Sequence, residues 1–112
     1  MDSILLHIKE TVGGGSEHSD FDEELLACIN AAILDYRQEG IVETGFRVTG
    51  PNETWSDMIG DKLVDQEAIK QLTQMKVRML FDTPSGSVAD ALQKAIDRLE
   101  WRLYSDHEIG II

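Results

Sequence analysis

The sequence predicts a small all-α protein: a bundle of about four helices with a C-terminal helical hairpin and one short β-strand or extended segment in the middle. Apolar residues recur at intervals of three and four along four stretches, which is the period of a helix. Glycines, a proline and capping residues separate those stretches. With 112 residues, the chain has the length of one domain, which we assign to residues 1–104, followed by a tail at 105–112.

The first predicted helix runs from Asp2 to about Thr11. Its apolar face carries Ile4, Leu5, Ile8 and Val12, and its other face Lys9 and Glu10. Three glycines at 13–15 then lose too much backbone entropy to remain helical, so they predict a flexible joint. No Gly-Lys-Ser or Gly-Lys-Thr follows, which argues against a phosphate-binding loop.

The second helix is predicted to be capped by Asp20, with Glu23 placed as in a capping box. Acidic residues in its first turn oppose the positive end of the helix dipole. Its buried face should extend to a helix end at Gly40 and comprise Phe21, Leu25, Cys28, Ile29, Ala32, Ile33 and Tyr36. Since capping explains the acids of "SDFDEE" and no His or Cys completes a ligand set, we predict no metal there.

The helical period breaks between residues 40 and 60. Within "GFRVTG", residues 46–49 alternate apolar and polar side chains, which predicts one short strand. A lone strand leaves backbone groups unpaired, so it needs a partner in the protomer or on a neighbouring chain. A helical turn or two should follow, with Trp55, Met58 and Ile59 on one side.

The C-terminal hairpin is predicted from two further helices. The third long helix should span Asp65 to Phe81, with a stripe of Ala68, Leu72, Met75 and Met79 that is widened by Ile69 and Leu80. Pro84 stops it, and Ser87 is the expected cap of a last helix that ends at about Tyr104. The stripe of that helix comprises Val88, Leu92, Ala95, Ile96, Leu99 and Leu103.

Trp101 falls on the polar face of the last helix, at about 200° from Leu99 when each residue turns the helix by 100°. A large aromatic residue there either packs under another segment of the same chain or anchors a protein-protein interface, where Trp and Arg are enriched. We predict a subunit interface that comprises Trp101, Arg102, Arg98, Arg78 and Trp55.

Negative charge is concentrated in the N-terminal half. The net charge is −11, of which residues 1–61 contribute −10 (13 acids, three bases) and residues 62–112 contribute −1 (eight acids, seven bases). A field of this sign repels DNA phosphates and argues against a DNA-gripping module, although excess charge also simply aids solubility. The candidates for an acidic surface or a channel lining are Asp20, Asp22, Glu23 and Glu24.

The sequence offers no set of residues with catalytic or ligating spacing. His7, His18 and His107 lie far apart, and no Cys pair supports them. Cys28 stands in an apolar stripe, where a thiolate is disfavoured, and has no second cysteine with which to pair. No signal peptide and no run of eighteen apolar residues is found. We therefore predict no enzymatic activity, metal, cofactor or membrane association.

The hairpin sequence "MKVRMLFDTPSGSVADALQKAIDRLEWRL" resembles the C-terminal helical pair of the head-tail connector (adaptor, head-completion) proteins of long-tailed bacteriophages. In that family a K-V-R-x-L-F-D-P-P pattern leads through a Ser-rich loop to E-W-R-L. The matching residues are Lys76, Val77, Arg78, Leu80, Phe81, Asp82, Pro84, Glu100, Trp101, Arg102 and Leu103. Thr83 replaces the first proline. "TWSDMIGD", "GFRVTG" and "FDEELLACIN" are similar to further family segments, so the resemblance extends from Ile4 to Leu103.

The resemblance implies a non-enzymatic ring of about a dozen identical subunits in the virion neck, which needs head-to-tail contacts. It would be made in the bacterial host cytoplasm and sit beneath the portal protein. A stopper or tail-completion protein would bind its other face, and DNA would pass through without specific binding. The tail residues Ile109, Ile111 and Ile112 are candidates for docking to the portal. The alternative function is a small acidic regulatory or DNA-mimic module that binds a basic protein.

Overall fold

A computed structural model describes residues 3–12, 21–42, 45–60 and 66–108, with side chains to residue 105. These ranges contain five helices: α1 (Ile4–Thr11), α2 (Asp22–Gln38), α3 (Trp55–Ile59), α4 (Gln66–Phe81) and α5 (Gly86–Glu108). The all-α prediction is confirmed. The short strand is not, because residues 46–49 have no regular secondary structure, and the ladder pairing found in the described ranges is one isolated antiparallel bridge between Ser3 and Thr54.

α4 is the central helix of the bundle. α2 and α5 make their main packing contacts with α4, α1 packs on α2 and α4, and α3 packs on α4. The inner face of α4 buries Ile69, Leu72 and Val77 completely. The core therefore follows the length of α4, and the outward faces of α2 and α5 are not covered by the other described helices.

Lys9 of α1 is buried, contrary to the prediction that it lies on the exposed side. It is 5% exposed, and its Nζ lies 3.0 Å from a carboxylate oxygen of Asp22 at the start of α2. The predicted apolar residues Ile4, Leu5 and Ile8 are buried beside it. A count of apolar residues cannot identify such a buried cation, because the position of its partner is set by tertiary packing.

α2 begins at Asp22 and not after a cap at Asp20. Phe21 occupies the N-cap position and contributes no side-chain hydrogen bond, while Asp20 lies outside the described residues. Phe21 was predicted on the buried face but is 55% exposed. The remaining positions of that face are buried, apart from the half-buried Cys28.

The end of α2 at Gly40 is as predicted. The N–H of Gly40 donates to the carbonyl of Arg37 at 3.1 Å, and the N–H of Ile41 donates to that of Tyr36 at 3.0 Å. These two bonds form a Schellman motif, which needs a left-handed residue at its centre. Gly40 supplies it with a φ of 80°.

A side chain of α2 takes the place of the partner strand that the segment 46–49 was predicted to need. Asn30 Nδ2 donates to the Val48 carbonyl at 2.9 Å, and Asn30 Oδ1 accepts from the Val48 N–H at 2.8 Å. Two hydrogen bonds to one residue imitate the pairing across a β-ladder. The segment is thereby held against α2, with Val48 1% exposed.

α3 is the helical turn predicted after the extended segment. Thr54 caps it, accepting from the Asp57 N–H at 3.0 Å, and the Asp57 carboxylate accepts from the Thr54 N–H at 3.1 Å, which completes a capping box. The predicted inner residues Trp55, Met58 and Ile59 are buried.

The buried stripe of α4 differs from the predicted one. Thr73 and Lys76 lie on it, whereas Leu80 is 57% exposed. Thr73 Oγ1 donates to the Ile69 carbonyl at 2.7 Å and lies 2.8 Å from Tyr36 Oη, so its polar group is satisfied inside the core. Polar residues with internal partners therefore shift the buried face away from the stripe that apolar residues alone indicate.

α5 is longer than predicted. It begins at Gly86, which places Ser87 inside the helix and not at its cap, and it continues to Glu108, past the predicted end at Tyr104. Ile96 and Leu103 of its predicted stripe are buried, but Val88 in the first turn is 54% exposed. The division at residue 104 thus falls within α5, and the predicted domain boundary remains a prediction.

Candidate protein-protein interface

The outer face of α5 carries an exposed tryptophan between two arginines. Trp101 is 72% exposed, and Arg98 and Arg102 are exposed beside it. Neither guanidinium group has an ion-pair partner among the residues that the structure describes. We call these three residues the α5 edge. A large aromatic side chain beside unpaired cations is typical of a protein-protein contact.

Glu100 points into the bundle although it adjoins Trp101 in the sequence. Its carboxylate forms an ion pair with Lys76 of α4, whose Nζ also lies 2.5 Å from a carboxylate oxygen of Asp35 on α2 and 5.5 Å from the ring centroid of Tyr36. Lys76 is 8% exposed. This cluster joins α2, α4 and α5, and it fixes the rotation of α5 that turns Trp101 outward.

Two tyrosines complete the polar cluster as neutral groups. Burial raises the pKa of Tyr36 well above its ordinary value, and burial, followed by the charge of Glu100, raises the pKa of Tyr104 in the same direction. Tyr104 Oη donates to the Glu100 carboxylate at 3.3 Å. The charged groups of the cluster at neutral pH are therefore the carboxylates of Asp35 and Glu100 and the ammonium group of Lys76.

The other two predicted interface residues lie in different surroundings. Arg78 is exposed on α4, outside the α5 edge. Trp55 is 1% exposed, and its indole meets the ring of His7 edge-on, with ring centroids 5.6 Å apart. The described protomer encloses Trp55 in its own core, so this residue has no surface to offer a neighbour.

A shallow apolar groove of about 540 Å³ lies where the start of α2 meets the end of α4. Its lining consists of Phe21, Glu24, Ala27, Cys28, Leu80 and Phe81, and we call it the Phe21 groove. The rings of Phe21 and Phe81 meet edge-on with centroids 5.8 Å apart. Phe21 and Leu80 are each more than half exposed. Sequence analysis missed this surface because both residues continue apolar stripes at helix ends, where the bundle no longer covers them.

One charged residue, Glu24, lines the groove. Glu23 and Glu24 are exposed and have no ion-pair partner in the described part of the chain, whereas Asp22 is engaged by Lys9. Burial, and secondly the charge of Glu24, raise the pKa of the Cys28 thiol. The thiol is therefore neutral near pH 7, and the groove combines an uncharged floor with an acidic rim.

Comparison with protein-family models matches residues 4–109 to the family described as Phage connector protein. The match covers nearly the whole chain. The chain belongs to this family. Searches of curated proteins and of solved structures found no match. The predicted resemblance to the phage head-tail connectors is thereby confirmed.

Family membership gives this connector its broad role. It is a component of a phage virion that associates with other head or tail proteins, and the family points to a structural and not a catalytic protein. Within the described ranges, no group of three or more His, Cys, Asp or Glu side chains is placed to hold a metal ion. No helix among those residues is long and apolar enough to cross a membrane.

The residues that carry the resemblance fall into an inner and an outer set. Lys76 and Glu100 form the buried ion pair, and Val77 and Leu103 belong to the hydrophobic core. Arg78, Trp101 and Arg102 are exposed. The inner set stabilises the hairpin, and the side chains of the outer set are exposed where another molecule can contact them. The tail residues Ile109, Ile111 and Ile112 lie outside the described residues.

Proposed function

We propose that this connector forms a closed ring of about a dozen identical subunits beneath the portal of a long-tailed phage, built from head-to-tail contacts. DNA passes through the ring, and a stopper or tail-completion protein binds its other face. The observation that carries the proposal is the exposed α5 edge on a member of the phage connector family. Trp and Arg are the residues that most often dominate binding energy in protein interfaces.

The charge of the chain supports a channel that does not hold DNA. Residues 1–61 carry a net charge of −10, and negative charge around a lumen repels the phosphates of DNA. Of the four acids predicted for this surface, Glu23 is exposed and lies outside the lining of the Phe21 groove, which contains Glu24. We propose that acidic residues of the N-terminal half face the channel, which lets DNA slide through without sticking.

Electron microscopy tests the ring. The connector is imaged alone over a series of concentrations, and together with the portal protein encoded in the same phage genome, because assembly can require the portal as a template. Closed rings are expected in at least one of the two samples, seated on one end of the portal. A monomer or closed dimer in both samples would contradict the proposal.

Salt dependence separates the ring from the regulatory alternative. Binding of an acidic module to a basic protein weakens steeply as salt screens the charges. A ring contact built around a buried tryptophan retains its apolar contribution in salt. We therefore expect the ring to persist at an ionic strength that releases electrostatic complexes. Family membership favours the connector.

A further inference from the structure

The Phe21 groove is an apolar surface that the described residues of its own protomer leave exposed. Phe21 is 55% and Leu80 is 57% exposed, and the lining around them includes Ala27 and Cys28. A contiguous exposed apolar patch marks an interaction site, whereas single scattered apolar residues are normal on a protein surface. The groove therefore fits an apolar side chain of a partner.

Trp101 is an apolar side chain that the described residues leave exposed, and it is not among the residues that line the groove. It lies on the outer face of α5, whereas the groove lies between α2 and the end of α4. One protomer thus presents a protruding apolar side chain, Trp101, and a separate apolar groove. Two different surfaces on one subunit are what head-to-tail contacts require.

The charges around the two surfaces are complementary. Glu24 lines the groove and Arg98 and Arg102 flank Trp101, and none of the three has an ion-pair partner in the described ranges. Groove against groove would bring acids together, and α5 edge against α5 edge would bring arginines together. Like charges across an interface are strongly unfavourable. Charge therefore favours the groove of one copy against the α5 edge of another.

We propose that the Phe21 groove of each subunit receives Trp101 of a neighbouring copy, with Glu24 at the rim facing the arginines beside that tryptophan. The proposal rests on the proposed function and adds to it the acceptor site and the pairing of surfaces. A tryptophan in a pocket ringed by charged groups that exclude water is the usual form of an interface hot spot. The same contact, repeated from subunit to subunit, propagates in one direction.

Cross-linking in mixtures tests the pairing directly. Asp97→Cys with Cys28→Ser places a thiol one helical turn from Trp101 and removes the thiol of the groove. This variant is mixed with the unmodified chain, which carries Cys28 alone, and treated with a short bis-maleimide at mildly alkaline pH. Heterodimers joined from residue 97 to residue 28 are expected. Asp90→Cys with Cys28→Ser is the matched control. Asp90 is exposed on the same helix about two turns from Asp97, which places its thiol farther from Trp101, so this variant should give few heterodimers.

Charge reversal tests the direction of the contact. In a Glu24→Arg protein, the new arginine at the groove of one copy faces Arg98 of the next copy. In an Arg98→Glu protein, the new glutamate faces Glu24 of the next copy. Because each variant brings like charges together, each should self-associate about tenfold more weakly than the unmodified chain. A mixture of the two variants should recover association, because each of the two contacts that can form between unlike variants pairs a glutamate with an arginine. Sedimentation velocity measures all three samples. If the mixture stays as weak as its components, the proposed pairing is wrong.

The outcomes distinguish this inference from the ring itself. Closed rings without a cross-link between residues 97 and 28 overturn the pairing and leave the ring standing. Cross-linked chains that never close support the pairing and contradict the ring. A connector that does not self-associate at high concentration, or with its portal, overturns both.

Discussion

At the scale of single residues, neighbouring positions of α5 serve opposite purposes. Glu100 pairs with the buried Lys76, while Trp101 next to it is 72% exposed. A helix turns by about 100° per residue, so consecutive side chains cannot share one environment. The E-W-R-L segment therefore contributes both to the fold of the connector and to the surface that we propose for assembly.

Lys76→Ala should lower the free energy of unfolding by about 3 kcal/mol, because it leaves the largely buried Glu100 carboxylate and the half-exposed Asp35 carboxylate without their cation. Urea denaturation followed by circular dichroism measures this change. Lys94→Ala on the exposed face of α5 is the control and should alter stability by less than about 0.5 kcal/mol. Equal effects of the two substitutions would mean that the cluster does not stabilise the fold.

The two tryptophans should respond in opposite ways to substitution. Trp55→Ala removes a side chain that is 1% exposed and should cost about 3–5 kcal/mol of stability. Trp101→Ala should change stability by less than about 0.5 kcal/mol and yet impair self-association. Thermal denaturation and sedimentation velocity measure the two properties. A Trp101→Ala protein that loses its helicity would identify Trp101 as a core residue.

At the scale of elements, side chains complete what short segments cannot stabilise alone. The segment 46–49 has no sheet, and Asn30 of α2 satisfies both backbone groups of Val48. α3 has five residues, too few for a stable isolated helix, and the capping box of Thr54 and Asp57 closes its first turn. Both elements of the middle of the chain thus depend on a few specific hydrogen bonds.

Asn30→Ala should destabilise the connector by about 1–3 kcal/mol, because the Val48 N–H and carbonyl lose their partners. Asn30→Asp is the matched variant. A carboxylate accepts from the N–H but cannot donate to the carbonyl, so an intermediate loss is expected. Hydrogen exchange at the Val48 amide should accelerate more in the alanine variant. Unchanged exchange in both variants would show that Asn30 does not hold the segment.

The turn before α3 should add an acid-sensitive contribution to stability. The Thr49 hydroxyl donates to the Glu53 carboxylate at 2.7 Å, which, with backbone N–H donors, lowers the Glu53 pKa below its ordinary value of 4.5. The contribution is present above that value and is lost as pH falls through the lower folded-state pKa. Glu53→Gln should therefore narrow the difference in stability between pH 7 and pH 3, as measured by urea denaturation. An unchanged difference would contradict this role.

At the scale of the whole molecule, α4 supports two separate outer surfaces. α2 and α5 pack on it and carry the acidic Phe21 groove and the basic α5 edge. The buried cluster around Lys76 fixes the three helices relative to one another. A rigid subunit with two unlike patches is the physical requirement for a closed ring.

Deleting Ile109 to Ile112 should weaken attachment to the portal, because burial of the three isoleucine side chains against a partner would remove apolar surface from water. Co-sedimentation with the portal measures attachment, and circular dichroism of the shortened chain checks that it is folded. A variant with Ser at 109, 111 and 112 keeps the length and should behave like the deletion. Unchanged attachment in both would remove the tail from the proposed docking site.

The sequence by itself determined the helical class, the Schellman end at Gly40, the inner side of α3 and the outward direction of Trp101. Each follows from local periodicity or turn chemistry, which neighbouring residues encode. It also determined the family, because several segments match in order. Local sequence patterns were sufficient for those features that are determined by residues only a few positions away in the sequence.

Only the tertiary structure decided which polar residues are inside and which apolar residues are outside. Lys9, Thr73 and Lys76 are buried because partners on other helices satisfy them, and Phe21 and Leu80 are exposed because none of the five described helices covers the end where they meet. Burial depends on what lies opposite a side chain, and the opposite element is distant in sequence. The Phe21 groove therefore exists only once α2 and α4 have packed together.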